Sequence, residues 1–211
     1  GRQQNVSLFG DTNLGGGLID ERILAHALAA SKDGKALRAV FAESPAWRSY
    51  CELEARRLKE SYFLDEGKWA DAPLTRTLTV CYDEPLALEL SVGGTSICGM
   101  VEEPIAALGG RSFVGCLQDA LRAAVEVSRE CPPEVVILTG GASRMAFFQQ
   151  ACCEAFADAL VVLCPEPECS IARGLAYAGR VDERLSLFRR EVASIAHGEK
   201  LSVAVNASAH E

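Results

Sequence analysis

The stretch Val135-Val136-Ile137-Leu138-Thr139-Gly140-Gly141-Ala142-Ser143-Arg144-Met145 decides how this chain is read. Four consecutive apolar, mostly β-branched residues are the pattern of a strand covered on both faces, as in a parallel sheet. Two glycines then supply a turn whose backbone a ligand can approach closely. After the turn, Ser143 opens a helical pattern that would bury Met145, Phe148, Cys152 and Phe156. Leu160-Val161-Val162-Leu163 repeats the strand signal, and Glu168 to Ala178 reads as a further helix beyond Pro165 and Pro167. Strand, glycine turn, helix and strand in this order predict an α/β sheet. A terminal helix with Leu185, Phe188, Val192 and Ile195 is expected to stop at Gly198, leaving residues 199–211 as a short polar tail.

Upstream, the pattern changes. Gly10-Asp11-Thr12-Asn13-Leu14-Gly15-Gly16-Gly17 is a polar, glycine-rich loop running into a helix with Ile19, Ile23, Ala27 and Ala30 on one face. Ser44-Pro45 reads as the N-cap and first-turn proline of a second helix, whose apolar stripe is Trp47, Cys51, Ala55, Leu58 and Tyr62. Beside that stripe, Glu52, Arg56 and Lys59 follow at i, i+4 and i+7 and are expected to reach one common point; the ordinary use of Glu–Arg at this spacing is a surface ion pair. From Thr77 the period becomes two. Leu78, Val80 and Tyr82, then Leu86, Leu88, Leu90 and Val92, predict antiparallel strands joined by Asp83-Glu84 and leaving through a Gly93-Gly94 hairpin turn. Helical periodicity returns after Glu102 and again from Ser112, where Phe113, Leu117, Leu121, Ala124 and Val125 line a helix ending before Pro132-Pro133. The expected organisation is an inner α/β subdomain (1–17 and 130–198), an outer α+β subdomain with connecting helices (18–129) and the tail.

Composition narrows the function classes. At 211 residues, 49% hydrophobic and 24% charged, the chain has the make-up of a folded globular protein with a sizeable core. A net charge of -8 offers no positive field for a nucleic-acid backbone or an anionic membrane surface. No apolar run approaches the length of a membrane span, and Gly1-Arg2-Gln3-Gln4-Asn5 has no signal-peptide pattern. Nine cysteines without C-x-x-C spacing suit small apolar residues in a reducing cytosol, with Cys51, Cys81, Cys116, Cys152 and Cys153 in periodic segments, so a cytoplasmic location is expected and zinc is not. His26, His197 and His210 have no partners at metal-ligand spacing, and no nucleophile elbow, P-loop or dinucleotide fingerprint is present.

Two places fit anion or nucleotide chemistry, because helix N-termini after glycine turns point unpaired N–H groups outward. At Gly140-Gly141, Arg144 in the first helical turn can lay its guanidinium plane on an aromatic ring. The second is the Gly15-Gly16-Gly17 loop, where Asp11 or Thr12 can equally serve as a cap. Taken singly, each is more often just a tight turn or a flexible helix entry.

In their joint order these segments resemble the second lobe of the nucleotide-binding domain of DnaK-type seventy-kilodalton heat-shock chaperones, in the actin-like ATPase superfamily. Gly10 to Gly16 with Asp20 and Arg22 resembles the family's G-D-T-x-L-G-G-x-x-x-D-x-R signature, and Cys51-Glu52 to Leu58 its adenosine-binding helix. Val136 to Met145 resembles its V-x-L-x-G-G-S-x-R-x segment, and Pro167-Glu168 through Gly174 its P-D-E-A-V-A-x-G helix. The resemblance implies a ribonuclease-H-like, actin-like lobe that holds ATP or ADP, with Mg²⁺, together with the missing first lobe of the same protein and with client or co-chaperone proteins as partners. It assigns nucleotide contacts to Gly15, Gly16, Glu52, Arg56, Lys59, Gly140, Gly141, Ala142, Arg144 and Glu168, with Arg56 and Arg144 sandwiching adenine and Gly15 and Gly16 near the phosphates. The chain departs from the family at Ala55 (Lys), Lys59 (Ser), Ala142 (Ser) and Glu168 (Asp); lost polar contacts are expected to weaken binding by about 1 kcal/mol each. Because the first lobe carries the catalytic groups, hydrolysis by this chain alone is not expected. Two other readings stand beside this one: a sugar or acetate kinase-type lobe, and a degenerate protein-binding module without nucleotide binding.

Overall fold

The computed structural model describes residues 13–180. The Gly10-Asp11-Thr12 part of the glycine-rich loop, the helix expected around Leu185 to Ile195, and the tail with His197 and His210 lie outside the described residues. The chain is α/β and divides after Pro167 into two compact units. Both expected subdomains, up to Pro167, fall in the first unit.

Three helices begin it: α1 (Gly17–Ala30), α2 (Gly34–Glu43) and α3 (Pro45–Leu64). On α1 the buried residues are Ile19, Asp20, Ile23, Leu24, Ala27 and Leu28, whereas Ala30 is exposed, so the packed face is broader than the expected stripe and ends before Ala30. Helix α2 has no counterpart among the sequence expectations; its Leu37, Val40 and Phe41 at i, i+3 and i+4 seat it against α1 and α3. On α3 the expected stripe holds: Cys51, Ala55, Leu58 and Tyr62 are buried and Trp47 packs on the core.

Strands β1 (Leu74–Cys81) and β2 (Pro85–Val92) pair antiparallel, with Leu78 opposite Leu88 and Leu74 opposite Val92. Leu78, Val80, Leu88, Leu90 and Val92 are buried, while Thr75, Thr77, Thr79, Ala87 and Glu89 of the alternate set are exposed. Tyr82, expected in the strand, lies in the three-residue turn 82–84 and is exposed, because register closes at Cys81 and Pro85. At the outer edge of β2, Ser31 Oγ donates to the Ala87 carbonyl (3.2 Å) and the Ala87 N–H donates to Asp33 Oδ2 (3.3 Å).

Gly93-Gly94 is not a hairpin turn. Neither glycine has a positive φ, and Gly93 caps helix α4 (Gly94–Glu102): its N–H donates to Ser96 Oγ (3.0 Å), which donates back to the Gly93 carbonyl (2.9 Å). A Cβ at Gly93 would lie 3.1 Å from Pro73, so close packing explains this glycine. The helix expected after Glu102 therefore precedes it. Beyond α4 the chain forms a minimal ladder of β3 (Pro104–Ile105) and β4 (Arg111–Ser112) around Gly109 and Gly110, both at positive φ. Helix α5 (Phe113–Val127) starts at Ser112, whose Oγ accepts from the Gly115 N–H. Only its first turns pack: Phe113, Cys116 and Leu117 are buried, Leu121 and Ala124 are half-buried and Val125 is exposed.

The deciding stretch forms β5 (Val135–Leu138), a 3-10 turn (Gly141–Arg144) and α6 (Ala146–Ala155), followed by β6 (Leu160–Leu163) parallel to β5. The helix opens at Ala146 rather than Ser143, and Phe156 falls beyond its end, half-buried. The strands are not covered on both faces. Register places Val135 beside Leu160 and Ile137 beside Val162, all four exposed, with Ile137 at 62% and Leu160 at 64%. Among the described residues this sheet has only two strands, so α6 shields one face and the other stands open. In the second unit, residues 170–180 are helical, as the sequence led one to expect.

Glu54 ties α3 to β1. It is 5% exposed and ion-paired to Arg57 and Arg76. Desolvation by burial raises its pKa, but hydrogen bonds and charge from Arg76 and Arg57 outweigh that and leave it lowered. A depressed carboxylate stabilises the fold above its unfolded pKa, and the contribution disappears as pH falls through the folded value. Glu54→Gln should therefore cost about 1–3 kcal/mol in urea melts at pH 7, and the gap to wild type should close below the model-compound value of 4.5.

All nine cysteines are free, but the expectation of general burial fails: Cys81, Cys98, Cys131, Cys153 and Cys169 are exposed. Alternation in β1 turns Cys81 outward, and Cys153, about 100° further round α6 than buried Cys152, is exposed. Burial pushes the Cys51 thiol up to about 11. A thiol titration should thus show rapid modification of the exposed five, with Cys51, Cys116 and Cys152 reacting only in denaturant.

Candidate functional site

The turn after β5 is held in one conformation by its own bonds. Gly140 sits at φ 82°, ψ 151°, a region that L side chains rarely adopt, and its N–H donates to the Pro167 carbonyl (2.7 Å). Its carbonyl accepts from the N–H (3.1 Å) and the Oγ (2.7 Å) of Ser143, which is 1% exposed. Gln149 Nε2 donates to the Ser143 and Arg144 carbonyls. This leaves Gly141 exposed, Ala142 half-buried against the core and Arg144 half-buried.

Aromatic packing brings the turn to α3. Phe147 meets Phe63 of α3 and Phe113 of α5 edge-on, with centroids 6.4 and 6.1 Å apart. The Ala146 N–H donates to Glu66 Oε1 (3.0 Å), so a carboxylate from the turn after α3 already occupies the N-terminus of α6. Met145 is buried.

The loop before α1 arrives at the same point through Lys59. Lys59 Nζ donates to the Gly16 carbonyl (2.7 Å) and pairs with Asp20 Oδ1 (2.6 Å); Lys59 is 6% and Asp20 8% exposed. A Cβ at Gly16 would lie 3.2 Å from Lys59 Nζ and 3.8 Å from Met145 Cε, so Gly16, α3 and the turn converge there. Burial raises the Asp20 pKa, partly offset by the hydrogen bond and charge of Lys59 and the nearby charge of Arg56.

The expected convergence of Glu52, Arg56 and Lys59 does not occur. Arg48 Nε donates to Glu52 (2.7 Å) and Arg56 Nε to Glu60 (2.8 Å), each across one helical turn, while Lys59 points inward. The reason is position: Lys59 lies four residues after Ala55 and three before Tyr62, within the buried stripe. Its role as buried anchor was thus readable from spacing, although its partners, 43 and 39 residues away, were not. Of the other expected residues, Gly15 is exposed at the entry to α1, and Glu168 is exposed in the second unit. Met145 was expected only as a buried residue of the following helix and Glu66 was not anticipated; tertiary packing puts both here.

No group of His, Cys, Asp and Glu among the described residues is placed to hold a metal ion, and no helix among them is long and apolar enough to cross a membrane. No protein-family model matches the chain, and neither does any curated protein or solved structure.

Proposed function

We propose that the surface where α3, the Gly140–Arg144 turn and the Gly15-Gly16 loop meet binds the adenosine of ATP or ADP, as the second lobe of an actin-fold, chaperone-like ATPase. One observation carries this reading. Three segments that each resemble a different nucleotide-contacting motif, far apart in sequence, pack together around Gly16, Lys59 and Met145. Arg56 on α3 has a side chain 61% exposed, and Arg144 lies half-buried in the turn after β5. Two guanidinium planes facing a slot can stack on a purine, and glycines at 140 and 141 keep the backbone open to it. The resemblance puts phosphate oxygens at the Gly15-Gly16 loop, where the Leu18, Ile19 and Asp20 N–H groups of α1 already donate to the Gly15 and Gly16 carbonyls. Phosphoryl transfer needs positioning and Mg²⁺-assisted charge stabilisation, which the resemblance assigns mainly to another lobe.

A second reading, a protein-binding module that has lost nucleotide, draws support from Lys59. Where the resembled family has a small serine, this chain places a buried ammonium locked to Asp20.

Calorimetric titration of ATP and ADP with Mg²⁺ separates the two. Under the first reading the chain binds, and Arg56→Ala and Arg144→Ala each weaken affinity by about 0.5–2 kcal/mol without changing stability. No saturable binding, or binding indifferent to both substitutions, leaves the second reading in place. The chain alone should show no ATP turnover above background; Mg²⁺-dependent turnover abolished by Arg144→Ala would overturn its assignment as a single lobe.

Lys59→Met should cost about 3–5 kcal/mol at pH 7, because it strands a buried carboxylate. The unfolded chain titrates Asp20 near 3.8, and without Lys59 the already raised folded value moves higher. Stability then falls as pH rises between the two values, so the deficit of the variant should shrink as the medium is acidified towards 3.8. Asp20→Asn combined with Lys59→Met should recover most of the loss at pH 7, as read by urea melts.

A further inference from the structure

A cleft of about 510 Å³ lies between the C-terminal half of α1, the outward face of β1–β2 and α4, within the usual volume range of small-molecule sites. Its apolar part is formed by Ile23, Ala27 and Met100, which belong to the core and are held by two helices, α1 and α4. Over this floor stand two opposite charges, Lys32 just after α1 and Glu89 on β2, beside His26, which is engaged by Glu103. The arginines at 48, 56, 57 and 76 are all ion-paired, yet neither Lys32 nor Glu89 has an ion pair or side-chain hydrogen bond among the described residues.

The polar wall is rigid. Thr77 lies directly across the ladder from Glu89, and Ser91 follows on the same face. No side-chain hydrogen bond engages either hydroxyl among the described residues. The neighbouring edge at Ala87 is fixed by Ser31 and Asp33, so the groups sit on a clamped strand pair rather than on a loop.

A free cation, a free anion and two free hydroxyls around an apolar floor complement a small zwitterion with an apolar tail. We infer that this cleft binds a free α-amino acid with an apolar side chain: the carboxylate meets Lys32, the ammonium meets Glu89 and the hydroxyls, and the side chain covers Ile23, Ala27 and Met100. Charge-assisted hydrogen bonds supply selectivity, and because Ile23, Ala27 and Met100 are nearly fully buried, exposed Ala30 and Ala87 beside them supply much of the apolar contact area. The site is separate from the α3 surface and does not rest on the nucleotide reading.

The test is calorimetric titration of the chain with L-leucine, L-methionine and L-phenylalanine, with 4-methylpentanoate and L-leucinamide as probes lacking one charge each. At least one amino acid should bind saturably at one site, with the two single-charge probes tenfold or more weaker than L-leucine if L-leucine is bound. Glu89→Gln and Lys32→Met, both at exposed positions, should each weaken amino-acid binding tenfold or more at unchanged melting temperature, while Glu89→Gln leaves any 4-methylpentanoate binding unaltered. No saturable binding by any of the three amino acids, or binding that ignores both substitutions, overturns the inference.

Discussion

A buried ammonium cannot be left without partners, and the packing around Lys59 follows from that constraint. Its charge is compensated by Asp20 and by the Gly16 carbonyl, which places the first turn of α1 on α3 and would bring a Cβ at position 16 to 3.2 Å from Lys59 Nζ. Met145 reaches the same point from the turn after β5. Hydrophobic burial supplies most of the cohesion between these elements, but it is indifferent to small slips along a helix axis. The ion pair is directional and fixes which turn of α1 faces which turn of α3.

Glu54 performs a related function one turn earlier on α3. It faces β1 and is compensated by Arg76 from that strand and by Arg57 from its own helix. The two buried acids differ in sense: arginine contacts hold Glu54 below the ordinary carboxylate range, whereas desolvation holds Asp20 above it despite Lys59. A rise in pH therefore acts on these two contacts of α3 with opposite sign.

How much of this was legible depends on the range of the deciding interaction. The α3 stripe, the β1–β2 alternation and the β5, turn, α6, β6 order are local patterns, and all were readable. Gly93-Gly94 was misread because a glycine pair has one sequence appearance in a hairpin and in a close-packed cap; Pro73 and Ser96 decide between them, and Pro73 is distant in sequence. Helix α2 was missed although Leu37, Val40 and Phe41 carry helical spacing. In the candidate site, the spacing of Arg56 and Lys59 looked alike on paper, yet one faces water and the other the core. Only the register of the buried stripe distinguishes them.

The open face formed by Val135, Ile137, Leu160 and Val162 also has a colloidal meaning. Flat, β-branched surfaces with unpaired strand edges stick to copies of themselves unless long-range repulsion keeps molecules apart. Near neutral pH that repulsion comes from a net charge of -8, and it vanishes around the isoelectric point near 5.0. At the acidity where this chain loses its charge, the exposed apolar face therefore also loses the electrostatic repulsion that keeps copies apart.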